Sequence, residues 1–106
     1  MTSTLSSEAD VKREIKKLLK TWGWFYFMPQ AGQFGASGIP DFICCKFGLM
    51  LAIEAKFGYN KPTDLQQERM KEIRAAGGIA IWINENRLIQ LELLLATLDR
   101  KYNEVA

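Results

Sequence analysis

Two apolar runs separated by a single glycine constrain the fold of this chain more than any other feature. The first run covers residues 42–47 and the second covers 49–56, with Gly48 between them. Runs of strand length joined by so short a connection predict a β-hairpin. Because both faces of each run are largely apolar, we expect the hairpin to be buried on both sides. The sheet that contains it should therefore be flanked by helices.

The residues around the hairpin predict three helices and two further strands. The predicted elements are, in chain order, a helix from Ser6 or Ser7 to Trp22, a strand over 24–28, a glycine-containing loop over 30–38, the hairpin strands, a helix from Thr63 to Gly77, a strand over 79–83 and a helix over 88–98. The helix between the third and fourth strands favours parallel pairing of those two strands. The predicted fold class is α/β, a mixed four-stranded sheet in the order αβββαβα, and residues 1–106 are expected to form one domain.

The sequence contains no histidine, which excludes several kinds of catalytic site. Ser-His-Asp triads, Cys-His pairs and histidine-ligated zinc are all ruled out. Two adjacent cysteines, Cys44 and Cys45, lie in an apolar run and are expected to be reduced core residues. Any chemistry must therefore depend on carboxylates, lysines, hydroxyls or a thiol.

Charge and hydropathy bear on the location and partners of the protein. No apolar stretch is long enough to span a bilayer, and residues 1–4 lack the character of a signal peptide. We therefore expect an intracellular, cytoplasmic protein without a membrane partner. The formal net charge of +2 is too small to identify a nucleic-acid partner, so the distribution of charge must decide.

Three ionisable residues of the hairpin, Asp41, Glu54 and Lys56, form the most informative constellation. Asp41 follows Pro40 at the start of one strand, while Glu54 and Lys56 project from one face near the end of the other. In a hairpin these two ends are neighbours. Clustered carboxylates suit Mg²⁺ or Mn²⁺, which can activate water against a phosphodiester while Lys56 either orients the water or stabilises the transition state. A structural salt bridge of Lys56 is the more frequent meaning of this pattern when it stands alone.

Two polar residues outside the hairpin add to this constellation. Glu8 lies on the apolar stripe of the first helix, where it either joins the site or complements the helix N-terminus. Gln66 shares a helix face with Met70 and Ile73, so it either faces the sheet or only closes a capping box with Thr63. Spacing alone leaves both alternatives open.

Taken together, these residues resemble the VRR-NUC domain, the virus-type replication-repair nuclease branch of the PD-(D/E)XK superfamily. The resemblance rests on Glu8, the SGIPD segment at 37–41, the IEAK segment at 53–56, Gln66 and the AAGG segment at 75–78. It implies a restriction-endonuclease-like fold and a metal-dependent DNA nuclease. Small standalone members of the family act as homodimers on branched DNA such as Holliday junctions, which is the activity implied for this chain.

The resemblance also implies roles for individual residues. The implied metal ligands are Asp41, Glu54, Glu8 and the backbone carbonyl of Ala55, and the implied catalytic residues are Asp41, Glu54, Lys56, Glu8 and Gln66. Glu14, at the margin of the apolar stripe, is the alternative to Glu8. The implied cofactor is Mg²⁺, for which Mn²⁺ is a substitute.

Four lysines are expected to contact DNA phosphates without reading sequence. Lys12 and Lys16 form a line on the first helix, away from its apolar stripe. Lys46 and Lys61 are expected in a turn and a loop near the site. A solvated surface is the alternative interpretation of the helical lysines.

The last predicted helix is apolar over more than one face, with leucine or isoleucine at seven positions of 88–98. Such a helix needs two covering surfaces. The sheet and a second subunit would provide them, giving a homodimer, and the alternative is cover by another helix of the same chain.

Two other functions compete with the nuclease. One is a non-catalytic nucleic-acid-binding or assembly subunit that keeps the nuclease fold, and the other is a small regulatory dimer with a structural ion pair. The set of two acids and a lysine favours the enzyme, because clustered carboxylates repel phosphate and would not help a binding module.

Overall fold

Helices cover both faces of a mixed β-sheet in the computed structural model, which describes residues 5–30 and 37–103. Within those residues the elements are α1 (Glu8–Thr21), β1 (Phe25–Phe27), β2 (Phe42–Lys46), β3 (Leu49–Ala55), α2 (Asp64–Ala75), β4 (Ile79–Ile83) and α3 (Leu88–Asn103). The predicted order and α/β class are confirmed. Residues 1–4, on which the signal-peptide prediction depends, and 31–36 of the predicted loop lie outside the described residues.

The sheet has the strand order β1-β2-β3-β4. The first two pairings are antiparallel and the third is parallel, which confirms the predicted hairpin of β2 with β3 and the predicted parallel pairing of β3 with β4. Lys46 pairs with Leu49 across a two-residue turn in which both Phe47 (φ 59°) and Gly48 (φ 79°) have positive φ. Positive φ at both central residues is typical of a hairpin turn whose twist matches that of the strands. The turn therefore fixes the register that brings the other ends of β2 and β3 together.

The two faces of the sheet carry different cores. Helices α1 and α3 cover one face, where the buried residues are Val11, Ile15, Leu19, Trp24, Phe42, Cys44, Leu51, Ile53, Ala55, Ile83, Leu91, Leu95 and Leu98. Helix α2 covers a smaller core of Ala52, Met70 and Ala80 on the opposite face. Because side chains alternate along a strand, Glu54 shares the α2 face with Ala52. The candidate site thus lies at the end of β3 on the side that carries α2.

Two details of the core differ from expectation. Cys44 is buried but Cys45 is exposed, so the prediction that both are core residues is wrong for Cys45. Successive residues of a strand face opposite sides, and the α2 core does not extend to Cys45. Helix α3 continues to Asn103, beyond the predicted end at residue 98. Its last turns lack the leucine pattern and are held instead by ring stacking of Tyr102 on Phe47, with centroids 5.4 Å apart.

Among residues 5–30 and 37–103, no helix combines the length and the apolar character that crossing a bilayer requires.

Candidate active site

Asp41 lies at the strand end next to Glu54. The pairing of Phe42 with Ile53 places the residue before Phe42 opposite the residue after Ile53. Asp41 Oδ2 accepts a hydrogen bond from the backbone N–H of Ala55 at 2.8 Å. Its Oδ1 lies 3.7 Å from the Nζ of Lys12. One carboxylate oxygen is thus fixed to β3, and the other is oriented toward α1.

Glu54 is a buried carboxylate with an incomplete set of partners. It is 3% exposed, and its Oε2 lies 3.4 Å from Lys56 Nζ. Within the described residues, its buried Oε1 has no hydrogen-bond partner. Burial raises the pKa of Glu54 to about 7, and the negative charges of Asp41 and Glu8 add to this rise while Lys56 opposes it. Such a carboxylate is costly as an anion unless a cation or a proton joins it.

Glu8 and Lys12 connect the start of α1 to this pair. Ser7 caps the helix by accepting the N–H of Asp10 at 3.2 Å, which makes Glu8 the first helical residue. Lys12, one turn later, has its Nζ 3.5 Å from Glu8 Oε2 as well as 3.7 Å from Asp41 Oδ1. The ammonium group therefore lies between the carboxylates of two elements.

The contact of Lys12 with Asp41 is not predicted by the sequence. The sequence predicts Lys12 on a DNA-contacting surface of the first helix, and the structure places its ammonium group beside the carboxylate of Asp41. Its spacing of four residues from Glu8 was the available signal, because residues at i and i+4 are neighbours on a helix. Glu14 instead pairs with Lys17 at 3.0 Å along the helix. The geometry therefore favours Glu8 over Glu14 as the helical acid beside the site.

The donors fit a hard divalent cation through two carboxylates. Asp41 and Glu54 would supply oxygen ligands, and the Oε1 of Glu54, which has no hydrogen-bond partner within the described residues, has free acceptor capacity. In the described part of the chain, no group of three His, Cys, Asp or Glu side chains is arranged to hold a metal ion. Glu8 is thus not gathered into one cluster with Asp41 and Glu54. Two carboxylates nevertheless suffice for Mg²⁺, which keeps several waters and takes phosphate oxygens as further ligands.

Gln66 forms the predicted capping box. Its Oε1 accepts the N–H of Thr63 at 2.9 Å, and its own N–H donates to Thr63 Oγ1 at 3.2 Å. This confirms the helix-capping interpretation of Gln66. Its supporting role in catalysis stays a prediction.

The segment before Asp41 is held against α2. Gly38 has a φ of +74°, and a Cβ atom there would lie 2.8 Å from Leu65 Cγ. Arg69 Nε donates to the carbonyl of Ser37 at 3.0 Å, and Pro40 is buried. The SGIPD segment therefore needs glycine at its second position, and its packing determines where Asp41 enters β2.

The remaining lysines differ in their surroundings. Lys46 lies at the opposite end of β2 from Asp41, where it donates to the carbonyl of Trp22 and pairs with Asp99 at 3.2 Å. The predicted position of Lys46 near the site is therefore wrong, because β2 runs away from Asp41. Lys61 is exposed in the connection between β3 and α2, and Lys16 is half-buried on α1.

Comparison with known proteins agrees with this description at the level of fold. The element order, with an acidic pair at the end of the hairpin, defines an α/β nuclease-like fold. No protein-family model and no curated protein matches the sequence. A solved structure described as "VRR_NUC domain" aligns with a TM-score of 0.65 and 18% identity over 92% of this chain and 99% of that chain. The chain therefore has the fold of a VRR-NUC domain, which confirms the fold that the sequence resemblance implies.

Proposed function

We propose that this protein is a Mg²⁺-dependent endodeoxyribonuclease that hydrolyses phosphodiester bonds, with Mn²⁺ as a substitute metal. The observation that carries the proposal is the buried Glu54, whose unpartnered oxygen lies in a site shared with Asp41 and Lys56. A structural ion pair does not need a second carboxylate, such as the partly exposed Asp41, that raises the pKa of the first. A site that binds a divalent cation and phosphate needs both carboxylates as oxygen ligands.

Asp41, Glu54 and the backbone carbonyl of Ala55 would hold the metal, with Glu8 beside the site and linked to Asp41 through Lys12. A bound Mg²⁺ would neutralise charge on the phosphate and make a water more acidic. The Ala55 N–H fixes the carboxylate of Asp41 in one orientation. Lys12 restrains Glu8 and Asp41 together and offsets part of their charge.

Lys56 is the residue that acts on the substrate in this proposal. Its side chain is 13% exposed and its ammonium lies 3.4 Å from Glu54. A positive charge held in so little water interacts strongly with a phosphate oxygen that gains charge as the phosphorus is attacked. The water oxygen forms the new P–O bond, the old P–O bond breaks, and the leaving oxygen takes up a proton.

Incubation with defined DNA substrates tests this function. Labelled four-way junction, flap and linear duplex DNA are incubated with Mg²⁺, Mn²⁺ or EDTA, and the products are separated on denaturing gels. We expect cleavage with either metal, none in EDTA, and a preference for branched substrates such as the Holliday junction. Equal cleavage of linear duplex would refute the branched-DNA preference, and cleavage in EDTA would refute the metal dependence.

The homodimer is also a proposal, and α3 supports it. Leu91, Leu95 and Leu98 are buried under α1 and the sheet, whereas Ile89 and Leu93 are 59% and 60% exposed. These two residues are four positions apart, so they lie on one side of the helix. Light scattering at micromolar concentration should give a mass of two chains for the wild-type protein and of one chain for Leu93→Lys. A monomeric wild-type protein would contradict this proposal.

One observation favours the second candidate, a non-catalytic nucleic-acid-binding or assembly subunit. Lys12 and Lys56 lie within 4 Å of carboxylate oxygens of Glu8, Asp41 and Glu54. The two lysines therefore offset part of the negative charge of the three carboxylates without a bound metal. The substrate assay separates the two candidates. Binding of DNA without cleavage under every metal condition would favour the subunit.

A further inference from the structure

A basic groove lies between α2 and β4, outside the acidic site. It has a volume of about 240 Å³, and Lys61, Lys71 and Arg74 line it together with Trp82. None of its lining residues in the described chain is acidic. Lys71 Nζ lies 4.0 Å from Glu68 on the preceding turn of α2, with both side chains largely exposed, and the adjacent Glu72 pairs with Arg69. Such a pair contributes little, so the groove keeps its positive charge.

The groove begins beside the candidate active site. Trp82 of β4 is the pairing partner of Glu54 in β3. The Cα atoms of paired strands lie about 5 Å apart, and paired side chains point to the same face of the sheet. A polymer that reaches Glu54 and continues across β4 therefore passes over Trp82 into the groove.

Side-chain contacts hold the floor of the groove in place. The guanidinium carbon of Arg87 lies 4.0 Å from the ring centroid of Trp82, which holds the indole by a cation–π contact. Arg74 donates from Nε and Nη2 to the Ala80 carbonyl at 3.1 and 2.7 Å. A guanidinium has five donors, so this arrangement fixes Arg74 at the edge of β4 and leaves its Nη1 donors for a ligand.

We propose that this groove binds the sugar-phosphate backbone of the DNA strand that continues from the cleaved phosphate. Lys61, Lys71 and Arg74 contact successive phosphates, and a sugar or base packs against the indole of Trp82. Three cations without a lining acid suit a polyanion, and an aromatic surface among them is typical of sites for nucleic-acid strands. The proposal rests on the nuclease function and assigns the path of its substrate.

Salt-dependent binding tests the phosphate contacts. The double variant Lys61→Gln/Lys71→Gln is compared with Arg100→Gln/Lys101→Gln, which removes the same charge from exposed positions at the end of α3. Binding of a fluorescent four-way junction is measured by anisotropy in EDTA over a series of salt concentrations. Losing two phosphate contacts should lower the slope of log affinity against log salt by about 1.4 to 1.8. At 0.1 M salt this corresponds to roughly 25- to 60-fold weaker binding, whereas the control variant should bind like wild type.

Tryptophan emission tests the position of the strand. Trp22 and Trp24 lie at the other end of the sheet, near Lys46 and Phe47. DNA should therefore change the emission of Trp82, and the change should disappear in Trp82→Phe. A conservative aromatic change keeps the packing of this half-buried side chain, and the far-ultraviolet circular dichroism of each variant is compared with wild type.

The outcomes separate this proposal from the proposed function. Unchanged salt dependence in Lys61→Gln/Lys71→Gln, in a protein whose wild type cleaves DNA, would overturn the groove proposal alone. A wild-type protein that cleaves no DNA, but whose binding still weakens in the double variant, would overturn the nuclease and keep the groove. Competition by poly-glutamate as effective as by DNA would also overturn the assignment to a nucleic-acid strand.

Discussion

The titration of Glu54 gives a prediction with a calculable size. Burial raises the pKa of this carboxyl from 4.5 to about 7 in the folded protein, whereas the unfolded chain keeps the ordinary value. Between these pH values the folded state holds a proton that the unfolded state releases. Raising the pH therefore favours unfolding, and the contribution is complete below pH 4.5 and lost as the pH rises through 7. The difference between the pKa values of Glu54 in the folded and unfolded states corresponds to about 3 kcal/mol of unfolding free energy.

Urea unfolding at pH steps from about 5 to 8, without divalent metal, measures this contribution. The wild-type unfolding free energy should fall across this window, and Glu54→Gln should remove most of the fall because an amide does not titrate. Asp10 does not interfere, since its hydrogen bond from the Ser6 backbone N–H lowers its pKa to about 2. Glu14→Gln is the matched control, because Glu14 lies on α1 and pairs only with Lys17 in the described chain. A Glu54→Gln protein with the wild-type slope would refute the reasoning.

Three further predictions follow from the same geometry. Mg²⁺ should bind more tightly as the pH rises from about 6 to 8, and its binding should release protons, because Glu54 must lose its proton to bind the metal. Calorimetry in two buffers of different ionisation enthalpy measures the proton release. An Mg²⁺ affinity that does not change with pH would contradict the prediction. Gly38→Ala should lower the unfolding free energy by about 2 to 4 kcal/mol, because the residue has a left-handed backbone and its new Cβ would meet Leu65. Gly58→Ala is the control, since Gly58 has the same backbone conformation in open space, and it should cost about 1 kcal/mol. Equal losses for the two variants in urea unfolding would contradict the predicted clash with Leu65. Lys46→Ala should lower the unfolding free energy by about 1 kcal/mol, because it removes the hydrogen bond to the Trp22 carbonyl and the ion pair with Asp99. The same variant should cleave DNA at the wild-type rate. Reduced cleavage by the folded variant would restore the predicted role of Lys46 in DNA contact.

Local patterns in the sequence were sufficient to predict the sheet and the central pair of the site. The hairpin followed from two apolar runs around Gly48, and its register then required Asp41 and Glu54 to be neighbours. The parallel pairing of β3 with β4 followed from the intervening helix. These features depend on residues close in sequence or on strand geometry.

Features that depend on how elements pack could not be predicted in this way. The contact of Lys12 with Asp41 depends on where α1 crosses the end of the hairpin. The exposure of Cys45 depends on how far α2 extends over the sheet. The position of Lys46 could have been predicted, because it follows from the direction of β2 once Asp41 is placed at the strand start.

Single-turnover cleavage of a four-way junction by wild type and Lys56→Ala tests the central claim most directly, with Lys101→Ala, at an exposed position in the last turn of α3, as the matched control. We expect Mg²⁺-dependent cleavage by wild type and Lys101→Ala, and a rate lower by roughly 100-fold or more in Lys56→Ala, because the charge that stabilises the transition state is lost. Wild-type cleavage rates in a folded Lys56→Ala protein would contradict the proposed site.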